Sequence, residues 1–168
     1  MKRKTVLQKI IVIFLFLSIL TGCANTQPQN PLADYEKMLD GDIPQNLRLT
    51  IYYMDPTIST LLPLSAEDLM DFPETRKIVV EFDELAANFE PFKKLNVSVL
   101  QPVNGTPAID ARMYYVLEAG NGEKLLEVTI SQVHGRIYVN AMAVEHNPIF
   151  YEIIAPFTPE EAHIMYDM

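Results

Sequence analysis

Three strand-like segments follow one another closely in the C-terminal half of the chain, and they constrain its fold more than any other feature. Residues 111–118, 124–133 and 136–144 alternate apolar with polar side chains, and glycines mark the short links between them. Such links join antiparallel neighbours, and the second link predicts a tight turn at His134 and Gly135. We therefore expect an antiparallel β-meander with one buried face. On that face the third strand is expected to place Ile137, Val139, Ala141 and Ala143.

Two earlier segments add strands to this sheet. Residues 47–53 and 77–82 are rich in β-branched and aromatic side chains, which is typical of strands. Together the segments predict an α+β fold, with an antiparallel sheet of about four to six strands and short helices packed on one face. Residues 32–168 are numerous enough to bury one hydrophobic core, so we expect them to form a single domain.

Helix signals lie between and after these strands. Apolar residues recur at helical spacing over residues 32–39 and, interrupted by a proline, over residues 83–95. Ser65 begins a capping-box pattern that opens a further short helix. Two short helices are expected to close the chain, one after the cap residue Asn147 and one after Thr158.

The composition excludes several classes of function. The chain has 13 basic and 22 acidic residues and a formal net charge of −9, so its field repels the phosphates of nucleic acids. Its one cysteine closes no intramolecular disulfide and makes no thiolate zinc cage. The sequence contains no glycine-rich phosphate loop and no dinucleotide fingerprint. We therefore expect neither a nucleic-acid partner nor a cofactor.

The first 22 residues have the organisation of an export signal. Basic residues lie at positions 2, 3, 4 and 9, and an uninterrupted apolar run follows over residues 10–20. That run is much shorter than the roughly 20 residues that cross a bilayer as a helix. Residues 1–22 are therefore predicted to be a signal peptide rather than a membrane span.

The end of this segment, Leu20-Thr21-Gly22-Cys23, resembles the lipobox of bacterial lipoproteins. The resemblance implies that Cys23 receives a diacylglyceryl thioether and that the chain is cut just before it. Leu20, Thr21 and Gly22 would then be the residues that the processing enzymes recognise. Two acyl chains hold a protein stably at a membrane, whereas one binds only marginally. The resemblance therefore implies a protein anchored in the cell membrane on its extracytoplasmic side.

A tether joins the anchor to the domain. Residues 24–31 are polar, contain two prolines and show no apolar periodicity, so residues 23–31 are expected to be the lipidated cysteine and a flexible linker. Removal of residues 1–22 takes four basic side chains and no acidic one, which leaves 9 basic against 22 acidic residues and a net charge of −13. The lipid rather than charge must therefore hold the domain at the membrane.

Tyrosines on the outward side of the predicted strands are the candidate binding residues. Tyrosines present a large apolar ring and a polar tip, which suits them to protein contacts. In each Tyr-Tyr pair of a strand only one ring points outward, because side chains alternate between the two faces. We expect a contact surface for an envelope protein partner centred on Tyr114, Tyr138 and Asn140.

Two alternatives to a binding module stay open. An envelope hydrolase would use a pair of carboxylates or His134, and an extracytoplasmic sensor would bind a metal or another ligand. His146 and His163 flank the last helices but lack the spacing that puts two imidazoles on one helix face, so no metal site is predicted. The acidic clusters that such sites would draw on are Glu67, Asp68, Asp71 and Glu74, and Glu81, Asp83, Glu84 and Glu90.

The strand and turn pattern after a helix, over residues 83–144, is somewhat similar to the small cystatin-like and PepSY-like extracytoplasmic domains of bacteria. The similarity has no diagnostic motif. It implies a fold and assigns no role to any residue.

Overall fold

Six strands form one antiparallel sheet in the computed structural model, which describes residues 30–55, 57–103, 108–132, 135–160 and 162. The strands are β1 (Arg48–Tyr53), β2 (Arg76–Val80), β3 (Ala111–Glu118), β4 (Lys124–Ser131), β5 (Ile137–Val139) and β6 (Met142–Val144). They lie in the order β2-β1-β3-β4-β5-β6, and every neighbouring pair is antiparallel. The predicted α+β class is confirmed.

Short helices connect these strands. They are α1 (Ala33–Asp40), α2 (Ala66–Asp71), α3 (Phe82–Ala87), α4 (Glu90–Lys94) and α5 (Ile149–Glu152), with 3₁₀ turns at Val97–Val99 and Ala155–Phe157. Within the described ranges, no helix combines the length and the apolar composition that crossing a membrane requires.

The predicted helix starts are found where their signals lie. The Ser65 side chain accepts a hydrogen bond from the Asp68 N–H at 3.0 Å and the Asp68 carboxylate accepts one from the Ser65 N–H at 3.1 Å, so the capping box of α2 is complete. The helix predicted over residues 83–95 is divided into α3 and α4, as its proline requires. The Asn147 side chain accepts from the Ile149 N–H at 3.0 Å, and the N-cap of α5 is the next residue, Pro148. The helix predicted after Thr158 lies largely outside the described residues.

The inner face of the sheet carries the larger hydrophobic core. Leu49, Ile51, Tyr115 and Val128 are fully buried there against α1, α3, α4 and α5. Two tyrosine hydroxyls tie helices into this core. The hydroxyl of Tyr35 on α1 donates to the Phe92 carbonyl at 2.5 Å, and that of Tyr115 on β3 donates to the Phe150 carbonyl at 2.9 Å. Both buried hydroxyls thereby have a hydrogen-bond partner, as burial favours.

The outer face of the sheet is only partly covered. Helix α2 packs over β1 and β3 through Leu69, which contacts Met54, Tyr114 and Val116 in a second, smaller core. Strand β3 is therefore buried on both faces along almost its whole length. Strands β4, β5 and β6 extend beyond the cover that α2 provides on this side.

The strand predicted over residues 136–144 is two strands, and this corrects the predicted facing of its second half. Asn140 and Ala141 adopt positive φ angles of 45° and 67°, the backbone of a tight hairpin turn. Ala141 is consequently exposed in the turn, and Ala143 pairs with Tyr138 on the outer face. The prediction that both alanines face the core is wrong. The turn shifts the alternation of side chains by one residue, so Met142 and Val144 face the core instead.

The preceding turn also differs from its prediction. Strand β4 ends at Ser131 and β5 begins at Ile137, so the link is longer than two residues. It is closed by a hydrogen bond from the Ser131 N–H to the Arg136 carbonyl at 2.8 Å. Gly135 has the positive φ expected of it, at 57°, and His134 lies outside the described residues.

Removing the Tyr115 hydroxyl should cost more stability than removing the Tyr35 hydroxyl. Tyr115→Phe deletes the bond to the Phe150 carbonyl in the core and is expected to lower the free energy of unfolding by about 1–3 kcal/mol. Tyr35→Phe should cost about 1 kcal/mol, because the Phe92 carbonyl keeps a second donor, the Leu95 N–H at 3.1 Å. Urea unfolding of both variants measures the difference, and equal losses would contradict this account of the core.

Candidate binding groove

A groove lies on the outer face of the sheet, where α2 stops covering it. It has a volume of about 790 Å³ and is called the outer groove below. Its floor is formed by β4, β5 and the hairpin turn, and α2 forms one wall. Its lining residues are Ser65, Ala66, Glu67, Met70, Val103, Ile109, Tyr114, Lys124, Glu127, Thr129, Tyr138, Asn140, Ala141, Met142 and Ala143. This volume lies within the usual range for sites that bind small ligands or a few side chains.

All three residues predicted from the sequence to form a contact surface line this groove. Tyr114 and Tyr138 flank Thr129 on the outer face, because each pairs with it from a strand next to β4. Their side chains are only 4% and 7% exposed, so they form the floor of a concave site rather than a projecting platform. The Tyr52 ring stacks on Tyr114 with centroids 6.0 Å apart and extends the aromatic floor under α2.

A carboxylate near the floor accepts hydrogen bonds from two side chains. Glu127 Oε1 accepts from the Tyr114 hydroxyl at 2.5 Å and from the Lys124 ammonium at 2.7 Å. Burial alone would raise the pKa of Glu127, but these two hydrogen bonds and the charge of Lys124 outweigh it and hold the pKa below its usual value. The hydrogen bond to Glu127 in turn raises the pKa of Lys124. Burial, together with Glu127, raises the pKa of Tyr114.

These three pKa shifts determine the protonation state of each group near neutral pH. Glu127 is ionised, Lys124 is charged and Tyr114 keeps its proton. A general acid needs a carboxyl whose pKa is raised towards the working pH, and the pKa of Glu127 moves the other way. The arrangement is therefore suited to hydrogen bonding and orientation of a bound group rather than to proton transfer.

Asn140 has a structural role that the sequence did not reveal. Its Oδ1 accepts from the Glu127 N–H at 2.7 Å, and its own N–H donates to the Glu127 carbonyl at 2.9 Å. Its Nδ2 donates to the carbonyl of Pro31, which precedes α1. Asn140 thus fixes the hairpin turn, the position of Glu127 and the start of the domain at one point.

Asn30 and Pro31, the two residues before the predicted start of the domain, bond to the rest of the fold. The Asn30 side chain accepts from the Leu32 N–H at 2.9 Å and donates to Glu36 Oε2 at 2.7 Å, while Pro31 is held by Asn140. The sequence predicts both residues to be part of the flexible linker, because the segment is polar, contains prolines and lacks apolar periodicity. They belong to the folded part of the chain because their polar groups bond to α1 and the sheet.

Among the other candidate residues that the structure describes, Glu67 alone lines the groove. His146 is exposed and lies 5.4 Å from the Tyr151 ring, between centroids. Asp68 belongs to the capping box, where the Ser65 backbone and hydroxyl lower its pKa, and Glu90 pairs with Lys93 at 2.6 Å. The described residues contain no group of three or more His, Cys, Asp or Glu side chains placed to hold a metal ion. His134, His163 and the processing residues 20–23 lie outside the described ranges.

Sequence reasoning missed Lys124 and Glu127 as site residues. Glu127 lies on the outer face of β4, and its bond to a tyrosine across the strand pair was not foreseen. The signal was present, since Tyr114 and Glu127 lie on outward positions of neighbouring segments. What the sequence lacks is the register, which pairs Glu127 with Val116, two residues along β3 from Tyr114.

Comparison with known proteins gives no relative for this chain. No family model, no curated protein and no solved structure matches it. Functional argument therefore rests on the residues of the chain itself.

Because Glu127 is ionised in the folded state, the stability that it contributes should depend on pH. A carboxylate with a lowered pKa in the folded state adds stability above the pKa it has when unfolded, and that stability is lost as pH falls through the folded pKa. Glu127→Gln should therefore be less stable than the wild type at about pH 7, and the gap should narrow towards about pH 3. Urea unfolding across this range measures the gap. Glu152→Gln, an exposed change on α5, is the control, and a pH-independent gap for Glu127→Gln would contradict the assignment.

Proposed function

We propose that this chain is a lipid-anchored, extracytoplasmic binding module of the bacterial cell envelope, and that the outer groove is its binding site. The observation that supports the site is the buried tyrosine floor beside α2, where a concave surface meets fixed polar groups. Binding sites combine these two features, a mostly apolar hollow and a few precisely held polar atoms.

The anchoring part of the proposal rests on the lipobox-like residues and on the start of the fold. Cys23 is separated by only a short segment from Asn30 and Pro31, which are fixed to α1 and the sheet. The domain would therefore be held close to the membrane surface. The net charge of −13 gives it no electrostatic attraction to anionic lipids, so the acyl chains would supply the attachment.

The chemistry of the groove favours a particular kind of partner. Met70, Val103 and Ile109 are among the apolar residues of its lining. Lys124 already neutralises Glu127, so Glu67 on the exposed side of α2 leaves the groove with an excess negative charge. We infer that it binds a short segment of an envelope protein that carries a large apolar side chain beside a basic one.

The anchor is tested by comparing the native protein with Cys23→Ser. The native chain is expected to begin at a diacylated Cys23 and to partition with membranes, because only a thiol forms the thioether. The variant should stay unprocessed or be released. Intact mass and detergent partitioning measure both properties, with Ala24→Ser as a control that keeps the cysteine. A native chain that carries no lipid would refute the anchoring.

The groove is tested by a pair of matched charge reversals. A photo-crosslinking residue at Met70 is expected to capture an envelope protein in intact cells. Glu67→Lys should remove that product, because it places a positive charge at the groove wall. Glu84→Lys is the control, since Glu84 is also exposed in the first turn of a short helix but lies outside the groove.

Tyr138→Ala provides a second test of the same site. It should weaken capture by removing part of the floor, and circular dichroism checks that the sheet remains folded. Capture that persists in both Glu67→Lys and Tyr138→Ala would count against the groove as the binding site.

A further inference from the structure

Two adjacent leucines project from the surface of the domain. Leu61 is 104% exposed and Leu62 is 75% exposed, whereas the other exposed large apolar residues of the described chain are at most 46% exposed. The segment around them, residues 57–64, contains no charged side chain. This segment is therefore an uncharged and strongly apolar point on the surface of an acidic domain.

A buried arginine and its partly buried carboxylate partner bond to the chain on both sides of the leucines. Arg112 is 3% exposed and donates to the Ile58 carbonyl at 3.1 Å, to the Thr60 hydroxyl at 3.3 Å and to Asp110 Oδ2 at 2.9 Å. The other oxygen of Asp110 accepts from the Leu64 N–H at 3.1 Å. The chain is thus fixed on both sides of Leu61 and Leu62, which prevents them from folding back onto the core.

The leucine segment and the start of the domain are both connected to residues that line the outer groove. Residues 57–64 lead directly into Ser65, which lines the outer groove, and Asn140, which lines it too, holds Pro31. The leucine segment and the attachment of the linker therefore both adjoin the groove. The eight peptide units from Cys23 to Pro31 span at most about 28 Å, so a bilayer that holds Cys23 lies within that distance of Pro31.

We propose that Leu61 and Leu62 insert into the lipid surface to which Cys23 is attached, an inference that rests on the proposed lipid anchor. A bilayer accepts apolar side chains without a complementary pocket, and insertion of this uncharged segment brings no like charge against anionic headgroups. The second contact would fix the orientation of the domain. The outer groove, between the linker and the leucines, would then lie near the membrane surface.

The absence of tryptophan from the sequence allows a direct test. Leu61→Trp introduces a single tryptophan at an exposed position, where it does not disturb the core. The full-length lipidated protein is placed in phosphatidylcholine vesicles, with and without bromine on the acyl chains. Its emission is expected to shift to the blue and to lose most of its intensity with brominated lipid.

Val97→Trp is the matched control. Val97 is 46% exposed and lies just after α4, one of the helices that cover the inner face of the sheet. Its N–H donates to the Glu36 carboxylate of α1. A tryptophan there should keep its intensity in brominated vesicles. Quenching at position 61 but not at position 97 supports insertion by the leucines.

The outcomes separate this inference from the proposal beneath it. A chain that floats with the vesicles while Trp at position 61 stays unquenched overturns leucine insertion and leaves the anchor standing. A chain that carries no lipid and does not float overturns the anchor, and the inference with it. If the tryptophan shifts only when an envelope protein is added, the leucines dock on protein and insertion in lipid is wrong.

Discussion

Burial of β3 on both faces is the constraint on which the rest of the structure depends. A strand whose side chains are covered on both sides needs a layer above and a layer below it. Helices α1 and α5 help to cover its inner side, and α2 covers its outer side. Because α2 has only six residues, it covers β1 and β3 but not the strands beyond them. The outer groove is the part of the sheet that a short helix leaves open.

The polar groups of the groove are organised by contacts between neighbouring strands. Tyr114 of β3 and Lys124 of β4 meet at the carboxylate of Glu127, while Asn140 holds the backbone of Glu127 from the hairpin turn. Each of these polar groups is hydrogen-bonded to a neighbour that is itself held in place by the sheet or the turn. Such preorganisation lowers the cost of ordering side chains when a partner binds. The same pairing keeps Glu127 ionised, which favours recognition over proton transfer.

Local patterns predicted much of the fold, because strand alternation, proline positions and the Ser65 capping box act over a few residues. They also placed Tyr114 and Tyr138 on the correct side of the sheet. The turn at Asn140 and Ala141 escaped prediction because no glycine marks its positive φ angles. The full roles of Arg112 and Asn140 were not predictable either, since each also bonds to a distant partner, 54 and 109 positions away in sequence. Such contacts exist only once the chain has folded.

The shortness of the linker changes what a weak contact can achieve. A pair of leucines on a protein in solution meets a membrane at a rate set by bulk concentration, and its binding is marginal. In the proposed arrangement, eight peptide units confine the pair to a thin layer above the bilayer. Such confinement corresponds to an effective concentration on the order of millimolar. Insertion of the leucines is then an intramolecular event. Its equilibrium determines the orientation of the domain on the membrane rather than its attachment to it.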